Sequence, residues 1–151
     1  MIDIRLLGPG DGALLERVMP GVFDGPVVAR WSGEFLADPR HHLVVALDAG
    51  LVVGMVSGVH YVHPDKGPEL WINEVAVSST HRSLGVGRQM LTTMLAHGRA
   101  LGCTEAWVLT DPDNSAAQRL YERAGAVEYP GGCLMYTFPL LDTPPGQRLK
   151  D

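Results

Sequence analysis

Apolar and polar positions alternate from the start of the chain: Ile2, Ile4 and Leu6 against Asp3 and Arg5 predict a strand over Ile2 to Leu7. Gly8-Pro9-Gly10-Asp11 breaks it, and Asp11 stands where it can cap a helix carrying Leu14, Leu15 and Val18, which Pro20-Gly21 ends. A helical period returns with Val27, Val28, Trp31, Phe35 and Leu36 and stops at Asp38-Pro39. Leu43 to Leu47 reads as a strand, Asp48-Ala49-Gly50 as a hairpin turn, and Leu51 to Val62 as the returning strand. Gly54 and Gly58 inside that strand predict a bulge or a closely approaching neighbour.

A loop from His63 to Pro68 leads into Glu69 to Ser78, where Trp71, Ile72, Val75 and Val77 give a strand composition. From Arg82 onward Val86, Met90, Leu91, Met94 and Leu95 recur at helical spacing until Gly102. Glu105 to Leu109 is a strand, 111–114 a turn, and Asn114 or Ser115 caps a helix that runs to Ala124 and ends at Gly125. A short strand near Val127 to Tyr129 and a last strand from Cys133 to Leu140 follow. Three strands joined by short loops imply an antiparallel meander, and the strand-helix-strand unit after it a parallel crossover. The expectation is an α/β (α+β) domain over residues 1–141, a mixed and mostly antiparallel sheet with helices on both faces, and a loose tail over 142–151.

Composition narrows the class. The chain has 151 residues, 46% apolar and 19% charged, enough for one globular core. The net charge of −5 argues against nucleic acid and anionic membrane as partners and leaves room for a cationic substrate. No run of about 18 apolar residues is present and the opening MIDIRLLGPGD has no secretory pattern, so a cytoplasmic setting is expected. Cys103 and Cys133 are expected to be reduced and buried.

The chemistry gathers around Arg82-Ser83-Leu84-Gly85-Val86-Gly87. A strand that feeds a helix through glycines leaves backbone N–H groups unpaired at the positive end of the helix dipole, and these hold anions. Arg82 and Arg88 add positive charge. Glu74 alternates with apolar neighbours and, unless a bulge intervenes, shares a face with Leu70, Ile72 and Ala76, so its pKa should rise toward that of a general base. A carboxylate paired with a nearby Arg or Lys is the other reading. Asp111 is either a cation-binding or base residue at a strand end or a turn former ahead of Pro112. Asp24, Glu34 and Asp38 supply further carboxylates. His60 and His63 point to opposite strand faces, which speaks against a metal site there. His81 reads as a turn residue, and Trp71 and Trp107 as core or pocket wall.

Val75-Ala76-Val77, then Arg82-x-x-Gly85-x-Gly87, then Asn114-x-x-Ala117-x-x-x-Tyr121 with Gly125 after it, resemble the GCN5-related N-acetyltransferase (GNAT) superfamily. The order of elements matches it from Ile2 to Leu140. Within it, WINEVAVSSTHRSLGVGRQML and VLTDPDNSAAQRLY look similar to the aminoglycoside 3-N-acetyltransferase type I group.

The resemblance implies a sheet splayed between the strands at Val75 and Val108, acetyl-CoA as co-substrate and no metal. The amides of Ser83, Leu84, Gly85, Val86, Gly87 and Arg88 would hold its pyrophosphate. Val75, Ala76 and Val77 would pair with the pantetheine arm, and Asn114, with Ala117 in the same motif, would contact its amides. Tyr121 would be the general acid toward the departing thiolate, against a plain packing role in the core. Asp24 and Glu34 lie where the family builds its acceptor pocket. The acceptor is then a small-molecule amine: an aminoglycoside, another polyamine, an amino acid or a protein amine. A homodimer is expected from the family, with the strand at Cys133 to Leu140 as an edge for it.

Two rivals stand beside this reading. A dinucleotide-binding enzyme shares the strand, Gly85-x-Gly87 and helix, but Met90 occupies the third glycine position. An acyl-CoA-binding module without turnover shares the binding turn, and Glu74 and Tyr121 together argue for an enzyme instead.

Overall fold

The computed structural model describes residues 1–140. Its strands are β1 (Asp3–Leu7), β2 (His41–Asp48), β3 (Leu51–Tyr61), β4 (Glu69–Val77) and β5 (Glu105–Val108), and its helices α1 (Ala29–Ala37), α2 (Val86–Ala100) and α3 (Ser115–Arg123). The strands form one sheet in the order β1-β2-β3-β4-β5, antiparallel except for the parallel pair β4–β5. The β2–β3 hairpin turns where expected, with Ala49 (φ 47°) and Gly50 (φ 77°) both left-handed, the geometry that lets a two-residue turn follow the strand twist.

Two register shifts shape the sheet. One lies between Ala46 and Leu47 and leaves Val53 of β3 unopposed. The other lies opposite Ser57 and Gly58: Ser57 pairs with Glu74 but Gly58 with Ile72, so Asn73 is the extra residue of a bulge in β4. Parallel pairing of β4 with β5 stops at Ile72 and Val108. Beyond that point, among the described residues, the outer edge of β4 from Asn73 to Val77 has no strand beside it, which is the splay of the sheet.

Helices cover both faces. Val86, Met90, Leu91 and Met94 of α2 pack with Leu70, Ile72, Val53 and Val56, joined by Leu120 and Tyr121 of α3. On the other face Leu15, Val22 and Leu36 pack with Val45, Val52 and Met55. The glycines explain how closely α2 sits. A Cβ on Gly54 would stand 2.8 Å from Met90 Cε and 3.1 Å from the Ala76 carbonyl oxygen, and one on Gly58 would stand 3.6 Å from Met94 Sδ. On the helix, a Cβ at Gly98 would reach within 2.8 Å of Leu70 Cδ2. Met90, Met94 and Gly98 are spaced by four, so one ridge of α2 lies in a groove that the strand glycines hollow out.

Several expectations need correction. The first helix is a short 3-10 turn over Gly12–Glu16, and the Asp11 carboxylate accepts the Gly8 N–H at 2.8 Å instead of capping it. Among the described residues no strand forms over 127–129 or over Cys133 to Leu140, and these side chains are exposed, Cys133 with them. Alternation gives a segment strand character, but a strand exists only with a hydrogen-bonded neighbour, and β5 offers just four residues of edge. The dimer edge expected there is therefore not formed as a strand. The tail over 142–151 lies outside the described residues.

Candidate active site

The turn between β4 and α2 has the backbone of an anion cradle. Ser83 (φ 62°) and Gly85 (φ 78°) are both left-handed, which turns successive N–H groups inward. The first residue of this region with a backbone acceptor is Gln89, whose N–H donates to the Gly85 carbonyl at 3.1 Å; among the described residues none is found for Ser83 to Arg88. Arg82 Nε donates to the Val77 carbonyl at 3.2 Å, tying the turn to the end of β4. Gly85 is open, its missing Cβ meeting nothing nearer than Gln89 Nε2 at 4.0 Å. Gly87 differs: its bare side faces Leu120 Cδ2 at 3.4 Å and Val77 Cγ2 at 3.6 Å, so it lets α3 approach and does not itself clear space for a ligand.

Val75, Ala76 and Val77 sit on the unpaired edge of β4, directly before this turn. A chain with amide groups can add there as a strand would. Asn114 caps α3, its Oδ1 accepting the Ala117 N–H at 3.1 Å, which leaves its amide nitrogen as the free donor. Tyr121, half-buried on the α2 side of the sheet, lines a cavity of about 280 Å³ together with Ile72, Leu91, Leu95 and Val108. Burial pushes its phenol up from 10.0, so it holds its proton at neutral pH.

The bulge decides where Glu74 points. Leu70 and Ile72 before Asn73, and Val75 and Val77 after it, all pack toward α2, whereas Ala76 packs on the opposite face. Glu74 therefore shares a face with Ala76 but not with Leu70 or Ile72, contrary to simple alternation. Desolvation raises its pKa above the ordinary 4.5, and the Asp24 carboxylate raises it further. Among the described residues no Lys, Arg or His forms an ion pair with either acid.

The structure thus brings Glu74 and Asp24 into each other's field. Glu34 lies exposed on α1, and no contact joins it to them. Asp38 closes α1 through its backbone and holds Arg40. Asp111 forms the turn through its backbone, its carbonyl accepting the Asn114 N–H at 3.0 Å, and its carboxylate is exposed.

Sequence reasoning missed a chain of imidazoles. His97 Nε2 lies 2.9 Å from His42 Nδ1, and His42 Nε2 lies 2.7 Å from His60 Nδ1. Burial, then the neighbouring histidines, push His42 down to about 4. The chain joins the start of β2, the end of β3 and the last turn of α2, at the far end of the sheet from the β4–α2 turn. His81 bridges Ser78 at 2.9 Å and Asp48 at 3.1 Å, and with Ser78 fully buried this trio holds the β2–β3 hairpin to the end of β4.

These features fit one family, and the comparisons agree. Residues 14–126 match the acetyltransferase (GNAT) family, and the chain belongs to it. A mycothiol acetyltransferase of Geodermatophilus obscurus is 40% identical over 75 residues, 45% of this chain and 24% of that protein. An L-2,4-diaminobutyric acid acetyltransferase of Streptomyces coelicolor is 34% identical over 101 residues, 64% of this chain and 56% of that protein. The matches thus span roughly a quarter to just over half of these relatives. The fold is similar to that of an aminoglycoside acetyltransferase from an uncultured soil metagenomic sample, solved with sisomicin (TM-score 0.77, 18% identity, 91% of this chain and 97% of that one). It is also similar to AAC(6')-Iy with the bisubstrate analog CoA-S-monomethyl-acetylneamine (TM-score 0.74, 20% identity, 92% and 99%). No helix among the described residues is long and apolar enough to cross a membrane.

Proposed function

We propose that this chain transfers the acetyl group of acetyl-CoA directly to a primary amine of a small polycationic acceptor. One observation carries the reading: Glu74 and Tyr121 lie toward opposite faces of β4, beside the stretch whose outer edge is unpaired. The turn from Arg82 to Arg88 holds the pyrophosphate and Val75 to Val77 the pantetheine arm, so the thioester lies in the splay between those faces. Bound acetyl-CoA supplies the activated acyl group.

Glu74 takes a proton from the acceptor's ammonium, for which its raised pKa suits it, and so frees the nitrogen lone pair to attack. The amine nitrogen bonds to the acetyl carbon, and the carbon–sulfur bond breaks. Tyr121, still protonated, gives its proton to the departing sulfur. Asp24 adds negative charge beside Glu74 and favours an acceptor with more than one amino group. Asp111 and Glu34 stand as secondary acids for the same acceptor.

An aminoglycoside fits this description. An amino acid, another small amine or a protein amine is the alternative, and an acyl-CoA binder without turnover is the reading from another class. On this reading the enzyme works in the cytoplasm as a homodimer, without a metal, nucleic-acid or membrane partner.

Thiol release from acetyl-CoA is the test, with sisomicin, kanamycin, L-2,4-diaminobutyrate or no amine added, and a blank for Cys103 and Cys133. Amine-dependent release is expected, strongest with the polycations. Binding of CoA without release for any amine replaces the enzyme by a binding module.

A further inference from the structure

The face of the sheet that carries Glu74 continues past the bulge onto a surface neither core covers. Val59 and Tyr61 of β3, Glu69 and Trp71 of β4, and Trp107 of β5 lie in register across three strands on the face away from Leu70 and Ile72. None of them belongs to either packed cluster, and Tyr61, Trp71 and Trp107 are all half-exposed. The two indoles stack, centroids 5.1 Å apart and planes 10° from parallel.

The pair is also held in place. Trp107 Nε1 donates to the Tyr61 hydroxyl at 3.2 Å, and that hydroxyl lies 3.4 Å from Glu69 Oε2. Lys66 at 2.9 Å balances the charge of Glu69, and His63 Nε2 lies 3.7 Å from the same carboxylate. Glu74 and Asp24, by contrast, have no cationic partner among the described residues. The face therefore presents two unbalanced carboxylates at one end and a fixed aromatic wall at the other. Across the bulge, Trp71 and Glu74 stand opposite Val59 and Ser57, two strand positions apart on one face, on the order of 7 Å.

We infer that the stacked Trp71–Trp107 pair is the distal acceptor subsite, and that it takes a second, ring-borne cationic group of the acceptor about 7 Å from the amine being acetylated. Indole is the best aromatic partner for a cation, and a rigid pair loses little entropy on binding. The acceptor chosen by this wall is a cyclic polyamine long enough to reach from Glu74 to Trp71. A single short amino acid engages the carboxylate end alone. This rests on the proposed acetyl transfer and specifies its substrate class.

The test compares wild type, Trp71→Ala and Trp107→Phe with sisomicin as the long amine and L-2,4-diaminobutyrate as the short one. Folding of each variant is checked by its melting transition. Wild type should prefer sisomicin in kcat/KM, and Trp71→Ala should reduce that preference about tenfold, through KM for sisomicin more than through kcat. Trp107→Phe, which keeps an aromatic ring but loses the N–H, should fall between the two. A second readout needs no turnover: sisomicin should quench the tryptophan fluorescence of CoA-free wild type, and Trp71→Ala should lose most of that quenching.

An unchanged preference in Trp71→Ala with quenching intact overturns the subsite while acetyl transfer stands. Equal loss for both amines overturns it too, because the wall would then be only structural. Absence of thiol release from wild type with every amine overturns the acetyl-transfer reading, and the subsite falls with it.

Discussion

The two faces of β4 solve different problems with adjacent residues. Toward α2 the strand presents Leu70 and Ile72, almost wholly buried, against a helix brought in by glycines. Toward the other side it presents Trp71, Glu74 and Ala76, and only Ala76 is packed into a core. The first face is dry and stabilises the fold. The second leaves Glu74 open to solvent and without a counter-ion among the described residues, its carboxyl held above its ordinary value by partial desolvation and by Asp24. The bulge at Asn73 is the switch between them: without it, Glu74 would lie beneath α2.

The comparison can be broken most sharply at Glu74. Glu74→Gln should lower kcat about 10³-fold, within the range for loss of a general base, with little change in KM for acetyl-CoA. A fall of less than about tenfold in steady-state rates would pass the base role to Asp111 or to water.

On the other face Leu70→Ala should cost about 3 kcal/mol in denaturant unfolding, because a side chain with no exposed surface leaves a cavity. Activity at low temperature should survive it. Deletion of the α3 cap in Asn114→Ala should cost about 1 kcal/mol and should also raise KM for acetyl-CoA, the second effect separating a pantetheine contact from capping alone.

The smallest effects are in pH, and the two faces have opposite signs. His42, held at about 4 in the fold against 6.5 unfolded, contributes stability that is full above 6.5 and is lost as pH falls toward 4. Glu74, raised in the fold, contributes stability that is full below 4.5 and is lost as pH rises through its folded value. Melting temperatures across pH 4 to 8 should therefore show a shallower acid fall in His42→Gln. Glu74→Gln should be more stable than wild type at pH 8, and the difference should vanish below 4.5. Asp24→Asn should move the acid limb of the rate profile to lower pH, since it removes one of the causes that raise Glu74.

What the sequence revealed was what local chemistry settles. The hairpin at Ala49-Gly50, the glycine turn at Gly85, a cap at Asn114 or Ser115 and the stops at Gly102 and Gly125 each follow from a few neighbouring residues, and the α2 period from its own length. Gly54 and Gly58 point to a bulge or a close neighbour, and the structure has both: register shifts beside each, and Met90 and Met94 against them. What stayed hidden depended on a partner strand. Nothing in Ile72-Asn73-Glu74 marks Asn73 as the extra residue, because a bulge is a count of two strands against each other. The stacking of Trp71 on Trp107 needs the register of β4 and β5, 36 residues apart in sequence, and Cys133 to Leu140 has the pattern of a strand without a neighbour.

The ridge of α2 has a chemical consequence. Met55, Met90 and Met94 have 1%, 0% and 0% of their surface open, and the thioethers of Met90 and Met94 rest on glycine backbone with no room for an added oxygen. Met135 is 68% open. Under mild peroxide, sulfoxide should form first at the exposed Met1 and Met135, and at Met90 only in molecules where α2 has lifted from the sheet. The chain thus carries its own oxidation clock, in which the rate at Met90 reports how often that helix detaches.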